Sequence, residues 1–394
     1  MAELTARWHR SLAEFPEAQW HALVSAESLP FYSWSWLLGL ERSGSVVPRQ
    51  GWQPCHLGLW RAEQLIAVAP LYLKGHSYGE FVFDQSFAQL AAQLGQRYYP
   101  KLLGMSPVSP VLGYRFFIAA GEDSAALTAL MLKLIDDFCR DHQIFSCNFL
   151  YVDPAWQPLA EAAGCATWLN QQSLWSNDHY SDFNAFLSSF NANQRRNIKR
   201  ERKAVQAAGL QVTPVVGEAI TPALLSRMHG FYEQHCARWG PWGSKYLTEA
   251  FFDHAAAELR QHLVLFSAHR SDPEQPVAMS LCVHSQQQLW GRYWGSDEEI
   301  DNLHFEVCYY APIEWAIGRG IQQFDPGAGG SHKRRRGFLA RPHASLHRWY
   351  HPRFDAIVRR WLPDANAEQL EQIEAMNAEL PFKARAADLL GSAA

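Results

Sequence analysis

Apolar positions recur along this chain with two different periods, and each change of period marks a new element. Leu127, Leu130, Met131, Leu134, Ile135 and Phe138 fall three or four residues apart, so this stretch is predicted as an amphipathic helix, with a strand over 145–151 behind it. Two strands over 55–60 and 65–73 flank the polar turn Arg61-Ala62-Glu63-Gln64, the pattern of a hairpin. Helices at 87–96 and 156–163 and a strand at 166–175 complete the first half. The first 45 residues read as a polar helical start followed by an aromatic cluster over 29–40. In the second half the expected order is β-α-α-β-β-β-α-β: strand 210–216, helices 222–236 and 246–259, strands 263–268, 277–284 and 288–294, helix 305–318 and strand 321–325. Val307, Tyr310, Ala311, Ile313, Glu314 and Ile317 give the last helix its spacing, and Gly318 and Gly320 are its stop signals. An acidic helix at 364–380 and a frayed tail after Arg385 close the chain. Both halves place a hairpin first and an amphipathic helix with a strand directly after it later, which predicts a structural duplication.

At 394 residues the chain has room for two domains, each with its own core. The pattern divides it into 1–176, 177–363 and a terminal helix and tail over 364–394. Hydrophobic residues make up 48%, yet no run approaches the roughly 18 apolar residues a spanning helix needs. No export signal opens the sequence, and the seven cysteines are scattered without a C-x-x-C pair, so the expectation is a cytoplasmic protein with reduced, buried thiols. A net charge of -4 excludes a global attraction to nucleic acid, so any polyanion site must be a local patch.

Such patches exist. Between 193 and 204 six basic residues stand against one acid; on a helix Arg195, Lys199 and Arg202 share one side, with Arg196, Arg200 and Lys203 beside them. A solvated face and an anion- or RNA-facing helix both fit this pattern. His332-Lys333-Arg334-Arg335-Arg336 is a second basic run, following the glycine-rich bend after Asp325. Lys74, His76, Tyr78, Glu80 and Asp84 crowd one loop and suit the lining of a polar pocket. Alternation over 288–294 puts Trp290, Arg292 and Trp294 on one face, either as a stacked cation or as an arginine stem lying on apolar surface. His343 and His347 have the i, i+4 spacing of a metal pair but lack the accompanying glutamate, and no metal site is expected. There is no Walker loop, dinucleotide fingerprint or serine elbow.

Five stretches carry a family resemblance: KGHSYGEFVFD (74–84), YYPKLLGMSPVSPVLGYR (98–115), NANQRRNIKRER (191–202), YWGSDEEIDNLHFEVCYY (293–310) and PGAGGSHKRRRGF (326–338). Over roughly 30–362 the chain resembles the FemAB-like family, relatives of the Fem-type peptidoglycan aminoacyltransferases. The resemblance implies an α/β fold of two N-acetyltransferase (GNAT)-like domains, each a mixed central sheet flanked by helices, facing across a cleft. Fem-type enzymes transfer an aminoacyl group from tRNA to an amine of a peptidoglycan precursor, without metal or organic cofactor.

Acyl transfer needs a proton acceptor and donors for an oxyanion. Glu306, with His304 beside it, is the candidate base or grip for the acceptor ammonium, although a helix-opening acid that complements the dipole fits equally. Asp325 is placed to orient a cation. Trp290, Arg292, Trp294, Tyr309, Tyr310, His332 and Lys333 are candidates for substrate contact, together with Lys74, His76, Tyr78 and Glu80. Arg195, Arg196, Lys199, Arg200, Arg334 and Arg335 are candidates for a phosphate backbone. Where an acyl-CoA enzyme places its pyrophosphate cradle, this sequence has Asp297, Glu298, Glu299 and Asp301 and no glycine pair, which ranks acyl-CoA below aminoacyl-tRNA as donor. The Gly327-Ala328-Gly329-Gly330 bend leaves an unconventional phosphate site open. The two other readings are an acyl-CoA N-acyltransferase with an atypical loop and a noncatalytic protein that recognises a peptidoglycan precursor or tRNA.

Overall fold

The computed structural model describes residues 3–25, 29–240 and 244–383; the expected frayed tail lies outside them. The chain divides into two units: Met1–Gln171, Tyr246–Phe251 and Pro342–Glu371 form the first, and Gln172–Lys245, Phe252–Arg341 and Gln372–Ala394 the second.

In the first unit the expected hairpin is present. His56–Arg61 and Gln64–Ala69 pair antiparallel, Leu57 opposite Ala69, around a turn in which Ala62 takes a φ of 53°. The start of the chain is a strand, not a helix: Leu4–His9 lies antiparallel on His56–Arg61. Its side chains are mostly exposed, so the hydrophobic pattern there is faint, and the open edge of the hairpin supplies what it lacks. A second sheet in this unit joins Trp52–Pro54, Tyr72–Lys74, Lys101–Gly104 and Ser146–Phe149. The amphipathic helix runs over Ser124–Asp141, with Asp123 accepting from Ala126 N at its start and Leu127, Met131, Ile135 and Cys139 buried. Residues 342–371, grouped by linear order with the C-terminal half, belong to this unit. Leu346–Trp349 of strand Leu339–Trp349 pair antiparallel with Ser146–Phe149, a long-range pairing that no local pattern discloses. The closing helix also starts earlier than expected, at Pro352, and runs to Ala378 with Pro363 inside it.

The second unit follows the expected order closely. Gln211–Val216, Leu263–His269, Ala278–His284 and Gln288–Ser296 form a continuous antiparallel sheet. Gln323–Asp325 then adds parallel to Gln288–Ser296, and Gln323 and Phe324 pair in turn with Ser176 and Trp175. The core beneath is rich in aromatics, with Phe183, Phe186, Phe190, Phe266, Tyr309, Tyr310, Phe324 and Phe338 all buried. Asn191 caps the basic helix Ala192–Ala207 by accepting from Gln194 N; Ile198 and Val205 anchor it, which leaves Arg196, Lys199 and Arg200 exposed.

Helix 303–318 is interrupted by a π turn over Glu306–Tyr310. Ala311 N–H reaches back to Glu306 O, and the carbonyl of Val307 that it leaves accepts from Ser280 Oγ. Pro312, one residue further, cannot donate to the carbonyl of Cys308, so the regular ladder is already broken at this point.

Candidate functional site

The second unit holds a cavity of about 490 Å³ where its central strands part. The parallel pairing ends after Trp290 opposite Asp325. Beyond it Gln288–Ser296 continues, while the other strand turns away through Pro326-Gly327-Ala328-Gly329-Gly330, and a V-shaped opening is left between them. Close approach at the apex depends on glycine: a Cβ on Gly327, whose φ is +86°, would stand 3.1 Å from Gly291 O.

Charged side chains lock this bend. Asp325 Oδ1 accepts from Gly327 N at 2.8 Å, and its Oδ2 accepts from Arg292 Nη2 at 3.2 Å. Lys333 Nζ donates to Gly327 O at 2.6 Å and Ala328 O at 3.1 Å, which engages two of its three protons and leaves one for the cavity it lines. Burial lowers Lys333 to about 8; Asp325 opposes that fall and Arg292 adds to it.

The expected shared face of Trp290, Arg292 and Trp294 does not form. Leu281 pairs with Tyr293 and Cys282 with Gly291, so Arg292 is the extra residue of a bulge that breaks the alternation. Gly291, Arg292, Tyr293 and Trp294 all line the cavity, whereas Trp290 is buried outside its lining. The opposite wall is a run of rings. His304 lies 4.5 Å from Trp294, 5.3 Å from Tyr309 and 5.6 Å from His332, and His235 lies 5.4 Å from Trp294, centroid to centroid. Burial lowers His304 to about 3, reinforced by His332, His235 and the nearby cations; His235 and His332 are lowered too, again mainly by burial. The wall is therefore uncharged near neutral pH.

Glu306 is not in this cavity. It points to a separate groove of about 380 Å³ and is gripped by Arg202, at 3.1 Å from Nε and 2.9 Å from Nη2. Arg202 also binds Glu314 at 2.7 Å. Burial raises the carboxyl of Glu306, and Arg202 restrains it. Two residues apart on a helix, Glu306 and His304 point to different faces despite their nearness in sequence. Tyr310 is also elsewhere, buried with its hydroxyl on Glu201. The acidic loop is largely compensated: Asp297 pairs with Arg227, Glu298 binds Arg270 through both oxygens at 2.8 Å, and Glu299 lies 4.0 Å from Arg238. Repulsion of a pyrophosphate there is weaker than the bare sequence suggests.

The two basic runs meet. A cavity of about 760 Å³ is lined by Arg200 from the basic helix and by Arg334, Arg335 and Arg336 from the turn Ser331–Arg336, against Glu201 and Glu379. Arg336 is buried, paired with Glu201 at 2.9 Å and 3.3 Å above the ring of Phe305; Arg334 pairs with Glu379 at 3.2 Å. Arg200 and Arg335 are exposed and have no ion pair among the described residues, so the cavity carries net positive charge. Arg196 and Lys199 are exposed and Arg195 half-buried on the same helix, outside this lining.

In the first unit, Lys74, Glu80, Asp84 and Lys101 form a buried cluster. Lys101 Nζ donates to Ser77 Oγ at 2.9 Å, Glu80 Oε2 at 2.6 Å and Asp84 Oδ2. Lys74 sits 3.5 Å over the ring of Trp52 and donates to Tyr78 O. Burial brings Lys74 down to about 7 and Glu80 up to about 7. His76 is half-buried, and Tyr78 is exposed. His343 and His347 lie on strand Leu339–Trp349, not on a helix. His343 stacks on Tyr151 at 4.6 Å, and His347 is held between Asn148 Oδ1 and Ser345 Oγ, each at 2.8 Å.

A sheet whose fourth and fifth strands part over a bulge and a broken helix defines the second unit as a GNAT-type domain, and the chain as a whole has the tandem GNAT fold. The model of the FemAB-like family, described as peptidoglycan biosynthesis/recognition, matches residues 11–384, and the chain belongs to that family. FemX has a similar fold, at 11% identity and a TM-score of 0.50, covering 91% of this chain and 100% of its own. The C-terminal domain of a putative lysylphosphatidylglycerol synthetase from Agrobacterium fabrum is similar at 10% identity and 0.50, covering 82% and 95%. A tandem GNAT protein from the clavulanic acid biosynthesis pathway aligns at 10% identity and 0.44, covering 89% and 99%. No curated protein sequence matches the chain. Among the described residues no helix is long and apolar enough to cross a membrane.

Sequence reasoning missed His235, Trp239, Ser280 and Cys308 as cavity residues, and Lys101 as the shared partner of Glu80 and Asp84. Only Cys308 and Lys101 left a signal, since both fall inside the family stretches. His235 lies on helix Pro222–Ala237 and nothing local marks it.

Proposed function

We propose that the chain is an acyltransferase that moves an activated acyl group, in the first instance an aminoacyl group from tRNA, to an amine of a peptidoglycan precursor. The observation that carries this reading is the side-by-side arrangement in one unit of the V-shaped cavity and the basic cavity. A polyanionic carrier suits Arg200 and Arg335, while its acyl end suits the uncharged aromatic wall beside Lys333 and Arg292. Lys333, charged near pH 7 and with one proton uncommitted, is suited to hold the oxyanion that forms when an amine adds to an acyl carbonyl. No metal or organic cofactor has a part in this reaction, and a tRNA donor implies a cytoplasmic site. The test is binding of tRNA and of acetyl-CoA to the purified chain across a salt series, followed by transfer from each donor. The expected result is tRNA binding whose logarithm falls linearly with that of salt, flattened in Arg196→Glu/Arg200→Glu. Binding and turnover of acetyl-CoA without tRNA binding would overturn the donor assignment, and binding without transfer from either donor would favour a recognition protein.

A further inference from the structure

His332 is the one described residue that lines both cavities. One hydrogen bond fixes the ring, a second fixes its backbone, and a glycine leaves it room. Tyr309 Oη lies 2.9 Å from Nε2. The backbone carbonyl of His332 accepts from Arg336 Nη1 at 2.9 Å. Gly330, at a φ of +85°, makes room for the imidazole: a Cβ there would fall 2.6 Å from Cε1 and 3.2 Å from Nδ1.

Resting on the acyl-transfer reading above, we propose that His332 takes the proton from the attacking amine, with Tyr309 and Gly330 as positioning residues. With Nε2–H donated to Tyr309 Oη, the lone pair is on Nδ1. The amine nitrogen bonds to the acyl carbonyl carbon while Nδ1 receives one of its protons. When the carbon–oxygen bond to the carrier breaks, the same proton passes to the leaving oxygen, and amide, free carrier hydroxyl and neutral His332 result. Position singles out His332 over the other candidates. Glu306 faces a different groove and is bound by Arg202, and His304 lines the aromatic cavity but not the basic one. Burial first, and then the cations beside it, keep the His332 ring neutral at rest. Lys333 and Arg336 are cations of its own turn, and His304 and Tyr309 on helix 303–318 are uncharged. Arg200 lines the same basic cavity from helix Ala192–Ala207, and Glu201 on that helix is engaged by Arg336 and Tyr310.

The experiment compares wild type, His332→Ala, His332→Gln, Tyr309→Phe and Gly330→Ala. It measures kcat against pH with aminoacylated tRNA as donor and a soluble peptidoglycan precursor as acceptor, and donor binding alongside. In wild type kcat is expected to rise with pH along one limb centred below 6.5. His332→Ala should bind tRNA as before, lose about 10²- to 10⁴-fold in kcat and lose that limb. His332→Gln can hydrogen-bond Tyr309 but takes up no proton, so it should show the same loss even if the alanine variant folds poorly. Tyr309→Phe and Gly330→Ala should keep the limb but displace it, at a reduced rate. Full turnover with an unchanged limb in both His332 variants would overturn this role and leave acyl transfer standing. If wild type transfers no acyl group from either tRNA or acetyl-CoA, the acyl-transfer reading falls and the role of His332 falls with it.

Discussion

Lys333 offers a quantitative test of how the bend at 326–330 is built. The side chain is 2% exposed, and its lowered proton affinity is a burial cost that the native state bears. At about 1.36 kcal/mol per pKa unit, the fall from 10.5 to about 8 amounts to about 3 kcal/mol against folding while both states are protonated. Below pH 8 this penalty is present in full. Between pH 8 and 10.5 the unfolded chain holds a proton that the native chain has released, so stability gains about 1.36 kcal/mol per pH unit from this residue. Above that window the penalty is gone. Lys333→Met removes the titration and leaves the carbonyls of Gly327 and Ala328 without their donor, a cost that does not vary with pH. Urea unfolding of both proteins at pH 7 and pH 10.5 isolates the effect. The stability of wild type relative to Lys333→Met should rise by about 3 kcal/mol between the two, because other titrations cancel in the comparison. Parallel stability curves would mean that Lys333 is not charged and buried at neutral pH, and the oxyanion role suggested for it would lose its basis.

Three further outcomes follow from the ion pairs and the bend. Arg202→Ala leaves Glu306 buried without its partner and should cost about 3 kcal/mol of stability in urea, while Glu306→Gln should retain transfer; a Glu306→Gln protein that folds normally but is inactive would restore Glu306 as the base. Lys101→Met strands the carboxylates of Glu80 and Asp84 and should destabilise the first unit by about 3–5 kcal/mol, more at pH 8 than at pH 5, where Glu80, raised to about 7, is already protonated. Gly327→Ala imposes a left-handed conformation and a 3.1 Å contact on Gly291 O; a loss of about 1–2 kcal/mol in thermal unfolding is expected, together with weakened acyl-donor binding, and an unchanged protein would show that the apex is looser than described.

Much of the second unit was legible in order of residues alone. Helical spacing from Val307 to Ile317, the short apolar runs at 263–268 and 277–284 and the glycines after Asp325 each depend on near neighbours, and burial writes such patterns directly into sequence. The basic helix and the basic turn were legible as charge, and so was the long family resemblance. What each charge does was not legible, because partners come from afar. Glu306 and His304 are two residues apart in the chain, and on a helix that spacing sends one to Arg202 and the other into the aromatic wall. Arg292 looked like the middle of an alternating face until one bulge opposite Leu281 and Cys282 moved Trp290 out of it. Strand Leu339–Trp349 and the early strand Leu4–His9 exist because a distant edge was open to receive them. Local periodicity thus determined the elements and their class. The tertiary structure decided which ions are neutralised, which strands meet, and that Arg200 and Arg335, 135 residues apart in the chain, line one cavity whose wall is shared by His332. The reason is physical: a helix or strand is specified by contacts within a few residues, whereas burial and pairing of charge depend on groups that only folding brings together.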